Sequence, residues 1–208
     1  VLVEVLNDDG SMARRPQLEA FAKQHGLKIG SIEDLIAHRL ATEHTVERID
    51  EREIDTEFGP FRLLTWRDRI AHDLHFALVR GTPDASRPVL TRVHVKNPLS
   101  DVLHWRRGDF GVAITDALRM IDEAGEGVLV VLAEPVDPKR LLARLRQQAE
   151  PAAGKASSAE WRRNGAGAQI LADLGLKQLR VIGTPRRQIG LAGYGLEVVD
   201  YVDPAAPR

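Results

Sequence analysis

The 208-residue chain contains no cysteine. That excludes disulfides, thiolate zinc sites and cysteine nucleophiles at one stroke. No apolar run approaches the ~20 residues that a membrane-crossing helix needs. Charge of one sign is lacking too, since 29 Lys and Arg against 30 Asp and Glu leave a net charge of −1. No bulk field therefore favours nucleic acid or a lipid surface, and neither is expected as a partner. Aromatics make up only 5%, yet apolar residues reach 43% and charged residues 28%, an ordinary globular balance. The N-terminus has no basic stretch leading into an apolar run, so it is not read as a secretory signal. A cytoplasmic location is expected. The chain begins inside a strand-like run, VLVEVLNDDG, as a fragment of something longer would.

What is present is an alternation of short apolar runs and helical periods. Val1–Leu6 reads as a buried strand, closed by the turn residues Asn7, Asp8, Asp9 and Gly10. Pro16 opens a helix with Leu18, Phe21 and Ala22 on one face and Gly26 as its C-cap. A short strand, LKIG, leads to Ser31 and Asp34, the two ends of a capping box for a second helix. VERIDEREID is a connector or an edge strand. FRLLTWR, HFALVRG and PVLTRVHV then read as three strands, the last two joined by the turn-rich GTPDASR.

Further on, Ile114, Ala117, Leu118 and Ile121 stand at helical spacing within 112–125. GVLVVLAE is continuously apolar, the pattern of a strand covered on both faces. Asp137 and Pro138 mark a helix start. PAAGKASSAE reads as a loop, and EWRRNGAGAQILADLG as a helix or as two helical pieces interrupted near Gly165 and Gly167. KQLRVIG, a helical turn and the strand YGLEVVDYV complete the chain. This order argues for an α/β fold, an α+β arrangement on a mixed sheet.

Two sets of segments carry a family resemblance. VEVLNDDGSMAR and FAKQHGLKIGSIEDLIAHR resemble the last strand, turn and helices of 3,4-dihydroxy-2-butanone-4-phosphate synthase. FGPFRLLTW, HFALVRG, RVHVKNPLSDV, GVLVVL, GAGAQILADLGLKQLRVI and GYGLEVV resemble a GTP cyclohydrolase II domain, over about Asp55 to Val202. The two families occur fused in riboflavin biosynthesis. The resemblance implies a synthase end over 1–45, a cyclohydrolase II-like domain over 46–203 and a tail over 204–208.

The same resemblance implies a damaged site. The family binds zinc through R-V-H-S-E-C, then G-D-V and C-D-C, and RVHVKNPLSDVLHWRRGDFG lies over that pattern without gaps. The three cysteine positions fall on Asn97, Gly108 and Phe110. Zinc needs S, N or O ligands, so zinc is expected to be absent. Phe110 is expected to pack inward where a ligand would point. With Leu99, Val102, Leu103 and Trp105 it is a candidate for the apolar or cross-chain contacts that replace the metal clamp, and exposed apolar area here could equally mark a dimer contact. His94 and His104 could in principle form a different metal site, but two histidines without a compact third ligand read as surface or packing residues.

The family's E-G-R-G loop falls on Pro135–Pro138 and its active-site Tyr on Gln148. Arg162 matches the catalytic Arg of a D-x-R pattern, with Glu160 in place of Asp; the bland alternative is that Arg162 and Arg163 are solvated helix residues. Arg92, His94 and Asp101 keep their places, and Arg187 stands where a phosphate-binding Lys would be; these four are candidate phosphate or nucleotide contacts. Glu4 matches a synthase active-site Glu, without the acidic metal loop and His motif of that family. Magnesium is accordingly expected for the longer parent and no cofactor for this chain.

Three functions follow as expectations. The first is a synthase parent whose cyclohydrolase II-like part is kept for homodimerisation, stability or regulation. The second is a module that binds a phosphate or nucleotide ligand, and the third is a residual cyclohydrolase, which would lack the metal-activated water of ring opening.

Overall fold

The chain divides into two units, Val1–Arg39 and Leu40–Arg208. The computed structural model describes residues 3–31, 35, 38, 43–135, 137–146, 158–185 and 191–204. In the first unit Pro16 and a following helical period give α1 (Arg15–His25), which ends on Gly26 at φ 62°. A glycine suits that left-handed position because it carries no Cβ. Residues 3–6 do not form the expected buried strand. Val3 is 81% exposed, and among the described residues a single bridge, Leu6 to Met12, is the extent of their pairing. An apolar run becomes a buried strand only beside a neighbouring strand, and the described part of this unit supplies none. LKIG likewise forms no strand, with Leu27 and Ile29 exposed. Asp34 and the capping box it would close lie outside the described residues.

The second unit holds seven described strands, β1 (Val46–Thr56), β2 (Gly59–Asp68), β3 (Leu74–Arg80), β4 (Val89–Val95), β5 (Gly127–Leu132), β6 (Gln178–Ile182) and β7 (Glu197–Val202). They form one mixed sheet in the order β1-β2-β3-β5-β4-β6-β7. VERIDEREID is thus an edge strand, and its dense charge suits an edge that must not pair with other chains. The pairs β1-β2, β2-β3 and β3-β5 are antiparallel, whereas β5-β4, β4-β6 and β6-β7 are parallel. GVLVVL is β5, buried at all six positions.

Four described helices accompany the sheet: α2 (Pro98–Asp101), α3 (Ile114–Ala124), α4 (Pro138–Leu145) and α5 (Ser158–Asp173). Asp137 starts α4 as expected, its Oδ1 accepting the Lys139 N–H at 2.9 Å. The pleat sends alternate residues of β5 to two separate cores. Leu129 and Val131 join Phe61, Ile182 and Ala117, Leu118 and Ile121 of α3. Val128, Val130 and Leu132 join Leu64, Trp66, Val79 and Ala166, Ile170 and Leu171 of α5.

α5 is one continuous helix rather than two pieces, the first of the two expected readings. Glycine is a poor helix former, but here it is selected by contact. A Cβ on Gly167 would stand 3.2 Å from Val93 Cγ1, so the missing side chain lets α5 lie close to β4. At its far end, Asp173 accepts from Trp66 Nε1 at 3.0 Å and from Arg48 Nη2 at 2.8 Å, tying the helix to β1 and β2.

Two parallel crossovers of one handedness must lie on opposite faces when they run in opposite directions. β4 leads through α3 to β5 on one side, and β5 leads through α5 back across β4 to β6 on the other. Chain therefore departs from β4 and β6 in opposite directions. Their carboxyl ends flank a topological switch point, the usual crevice for ligands in such sheets.

Candidate functional site at the switch point

The segment from Lys96 to Ala113 leaves β4 at this crevice. Its first turn is built by Asn97 and Pro98, an N-cap and first-helical-position pair that favours a helix start. Asn97 Oδ1 accepts from Leu99 N–H at 3.2 Å, opening the short α2. That turn brings Asp101 back to β4. Its carboxylate lies 2.9–3.0 Å from His94 Nε2 through both oxygens. It also accepts Asn97 N–H at 2.8 Å and Ser100 Oγ at 2.7 Å. A carboxylate only accepts, so Nε2 carries the proton. Burial works to raise the Asp101 pKa, but the donors Asn97, His94 and Ser100 outweigh it and hold the carboxyl below its ordinary value.

Arg92 lies one turn of the pleat earlier on the same face. Its Nη1 donates to Ile182 O at 3.0 Å and its Nη2 to Val112 O at 3.2 Å. One guanidinium thus ties the end of β6 to the loop after β4. Gly183 makes room for it, since a Cβ there would stand 3.0 Å from Nη1. Three sequence-predicted residues, Arg92, His94 and Asp101, are therefore brought together at the carboxyl end of β4.

The others are not gathered there. Glu4 is exposed in the first unit. The backbone at Glu160, Arg162 and Arg163 belongs to α5, but their side chains lie outside what is described, as do Gln148 and Arg187 altogether. His104 is exposed and left-handed at φ 51°.

Zinc does not fit the residues present. Asn97 spends its oxygen on the α2 cap, and Gly108 has no side chain. Phe110 is half-buried, packed edge-on to Trp105 at 5.7 Å, with Arg107 over its ring at 4.4 Å. Leu99 is buried, whereas Val102 and Leu103 are exposed. Among the described residues no three His, Cys, Asp or Glu side chains come together as a metal site.

Residues 47–203 match the family described as GTP cyclohydrolase II. The chain belongs to that family. Residues 1–38 match the family described as 3,4-dihydroxy-2-butanone 4-phosphate synthase. A 3,4-dihydroxy-2-butanone 4-phosphate synthase of Pseudomonas aeruginosa is 45% identical over 203 residues, covering 97% of this chain and 55% of that protein. Riboflavin biosynthesis protein RibBA of Parabacteroides distasonis is 36% identical over 211 residues, with 97% and 52% covered. Among solved structures, RibBX, a two domain 3,4-dihydroxy-2-butanone 4-phosphate synthase from A. baumannii, superposes with a TM-score of 0.65 at 36% identity, covering 95% of this chain and 52% of that one. The chain spans about half the length of the curated relatives it matches.

Two buried side chains of this cyclohydrolase II-family domain escaped sequence reasoning. His75 accepts Ala133 N–H through Nδ1 at 3.1 Å, while its Nε2 has no hydrogen-bond partner among the described residues. The run HFALVRG marks it as a strand residue and carries no signal of that bond. Gln169 bonds to residues more than 120 positions away. A polar residue inside the apolar period of GAGAQILADLG was its one visible signal.

Proposed function

We propose that this chain is the C-terminal part of a riboflavin-biosynthesis protein whose reaction is that of 3,4-dihydroxy-2-butanone 4-phosphate synthase. Its cyclohydrolase II-family domain is degenerate, inactive as a cyclohydrolase, and serves a structural, dimerising or regulatory role. The observation that carries this reading is the loop after β4. The places of the three family cysteines are taken by an N-cap amide, a glycine and a packed phenylalanine. GTP ring opening calls for an activated water, and these residues offer no means of generating one. The loop is instead closed on itself through Asp101.

The test is paired assays on the longer parent protein supplied with magnesium and zinc. Turnover of ribulose 5-phosphate with no formate released from GTP is the expected result. Formate release that a chelator abolishes would overturn the inactive-domain reading, and absence of ribulose 5-phosphate turnover would overturn the synthase reading. A nucleotide- or phosphate-binding role is the alternative. Arg92 would then have to exchange its bonds to Ile182 O and Val112 O for phosphate oxygens, at a cost in loop stability.

A further inference from the structure

Gln169 lies in the C-terminal half of α5 and is 3% exposed. A buried amide must find partners for an oxygen with two lone pairs and for two N–H donors. Its Oε1 accepts Thr45 N–H at 2.8 Å and Val46 N–H at 3.3 Å. Its Nε2 donates to Glu43 O at 2.9 Å and to Tyr194 Oη at 3.3 Å. The Thr45 hydroxyl adds a further contact to Oε1 at 3.3 Å.

The pairing with the main chain has a specific form. In a parallel sheet one residue accepts from the N–H that follows its partner and donates to the C=O that precedes it. Gln169 does this around His44, accepting from Thr45 and donating to Glu43, with its side-chain amide in the role of a peptide unit. The segment just before β1 is therefore paired as if a neighbouring strand were there. A glutamate could accept but not donate, and a leucine could do neither. The third arm, to Tyr194, reaches the 3-10 turn Leu191–Tyr194 between β6 and β7.

We infer that Gln169 is a conformational latch on the connector. It fixes residues 43–46 to α5 and to the 191–194 turn, so that the chain enters the cyclohydrolase II-family domain in one register. This rests on the structural role proposed above and names the contact through which such a domain would constrain the segment that precedes it. The latch concerns the connector alone, so its failure is separable from any result with ribulose 5-phosphate or GTP.

Amide hydrogen exchange on the intact 208-residue chain tests it. In the wild type the Thr45 and Val46 amides should exchange at least about a hundredfold more slowly than in an unstructured chain. Gln169→Leu should raise both rates at least about tenfold relative to the amides of β5. Gln169→Glu should keep Thr45 protected, because Oε1 still accepts. Fast exchange of Thr45 in the wild type overturns the latch whether or not a variant folds. Unchanged protection at Thr45 and Val46 in a folded Gln169→Leu chain overturns it equally.

Discussion

The loop after β4 and the turn between β2 and β3 lie at the same end of the strands, and each sets a buried histidine beside an aspartate. In the loop, His94 donates to Asp101 at 2.9 Å, and the carboxylate also gathers Asn97 N–H and Ser100 Oγ. In the turn, Asp68 Oδ1 is taken by Ile70 N–H and Ala71 N–H, and its Oδ2 stays 3.7 Å from His75 Nε2. The difference lies in where each aspartate sits. Asp101 is carried back to its histidine by a turn of helix, while Asp68 is fixed at a strand end by the turn it caps. A His–Asp pair is therefore a clamp in one place and a near miss in the other.

Breaking the clamp is expected to have the largest effect. Asp101→Ala strips partners from His94 Nε2–H, Asn97 N–H and the Ser100 hydroxyl together. Removing one member of a buried, hydrogen-bonded set costs about 3 kcal/mol. Chemical denaturation of the chain would show this as a lower midpoint at unchanged slope. Asp68→Ala loses only turn caps and should cost about 1 kcal/mol. Equal losses for the two variants would erase the contrast between clamp and near miss.

Acid sharpens the same comparison. Burial lowers the His75 pKa and is the largest influence on it, with Asp68 and Asp73 raising it and Lys96 lowering it further. Protonation turns Nδ1 into a donor facing the Ala133 N–H and breaks that bond. The folded value lies below the ordinary 6.5, so the unfolded chain takes up the proton first. The stabilisation is complete above about pH 6.5 and declines as pH falls below it. Asp101, also depressed, keeps its contribution above its ordinary 3.8 and loses it only as pH falls through its lower folded value. His75→Phe should cost about 1 kcal/mol at pH 7, and its gap to wild type should narrow between pH 6.5 and 5. Parallel melting profiles across that range would refute the assignment.

These two sites also mark where the sequence could be read and where it could not. The mixed α/β fold, the buried GVLVVL strand and the Asp137–Pro138 helix start followed from local periodicity and capping, which depend on neighbours along the chain. Asn97-Pro98 was just as local, but it was read as a lost ligand rather than as a helix start. Burial of Val1–Leu6 was inferred from composition, yet burial is a property of partners, and among the described residues of that run Val3 and Leu6 are exposed. Gly165 and Gly167 left one helix or two pieces open because propensity is local, while the contact of α5 with Val93 that favours Gly167 is not. The His75–Ala133 and Gln169–Thr45 bonds join distant segments, and no spacing rule reaches them.

The smallest effect is expected on the outer half of the same loop, where Leu103 is 65% exposed. It stands next to the clamp in sequence but contributes little to it, since an exposed leucine has almost no apolar burial to lose. Leu103→Ser should change the stability of the isolated chain by less than about 0.5 kcal/mol. The proposed homodimer gives that side chain a second measurement. If the loop faces a second copy, sedimentation should show weaker self-association in Leu103→Ser at an unchanged melting temperature. A large loss of stability in the monomer would instead place Leu103 inside the clamp and undo the division of the loop into a closed inner half and an open outer one.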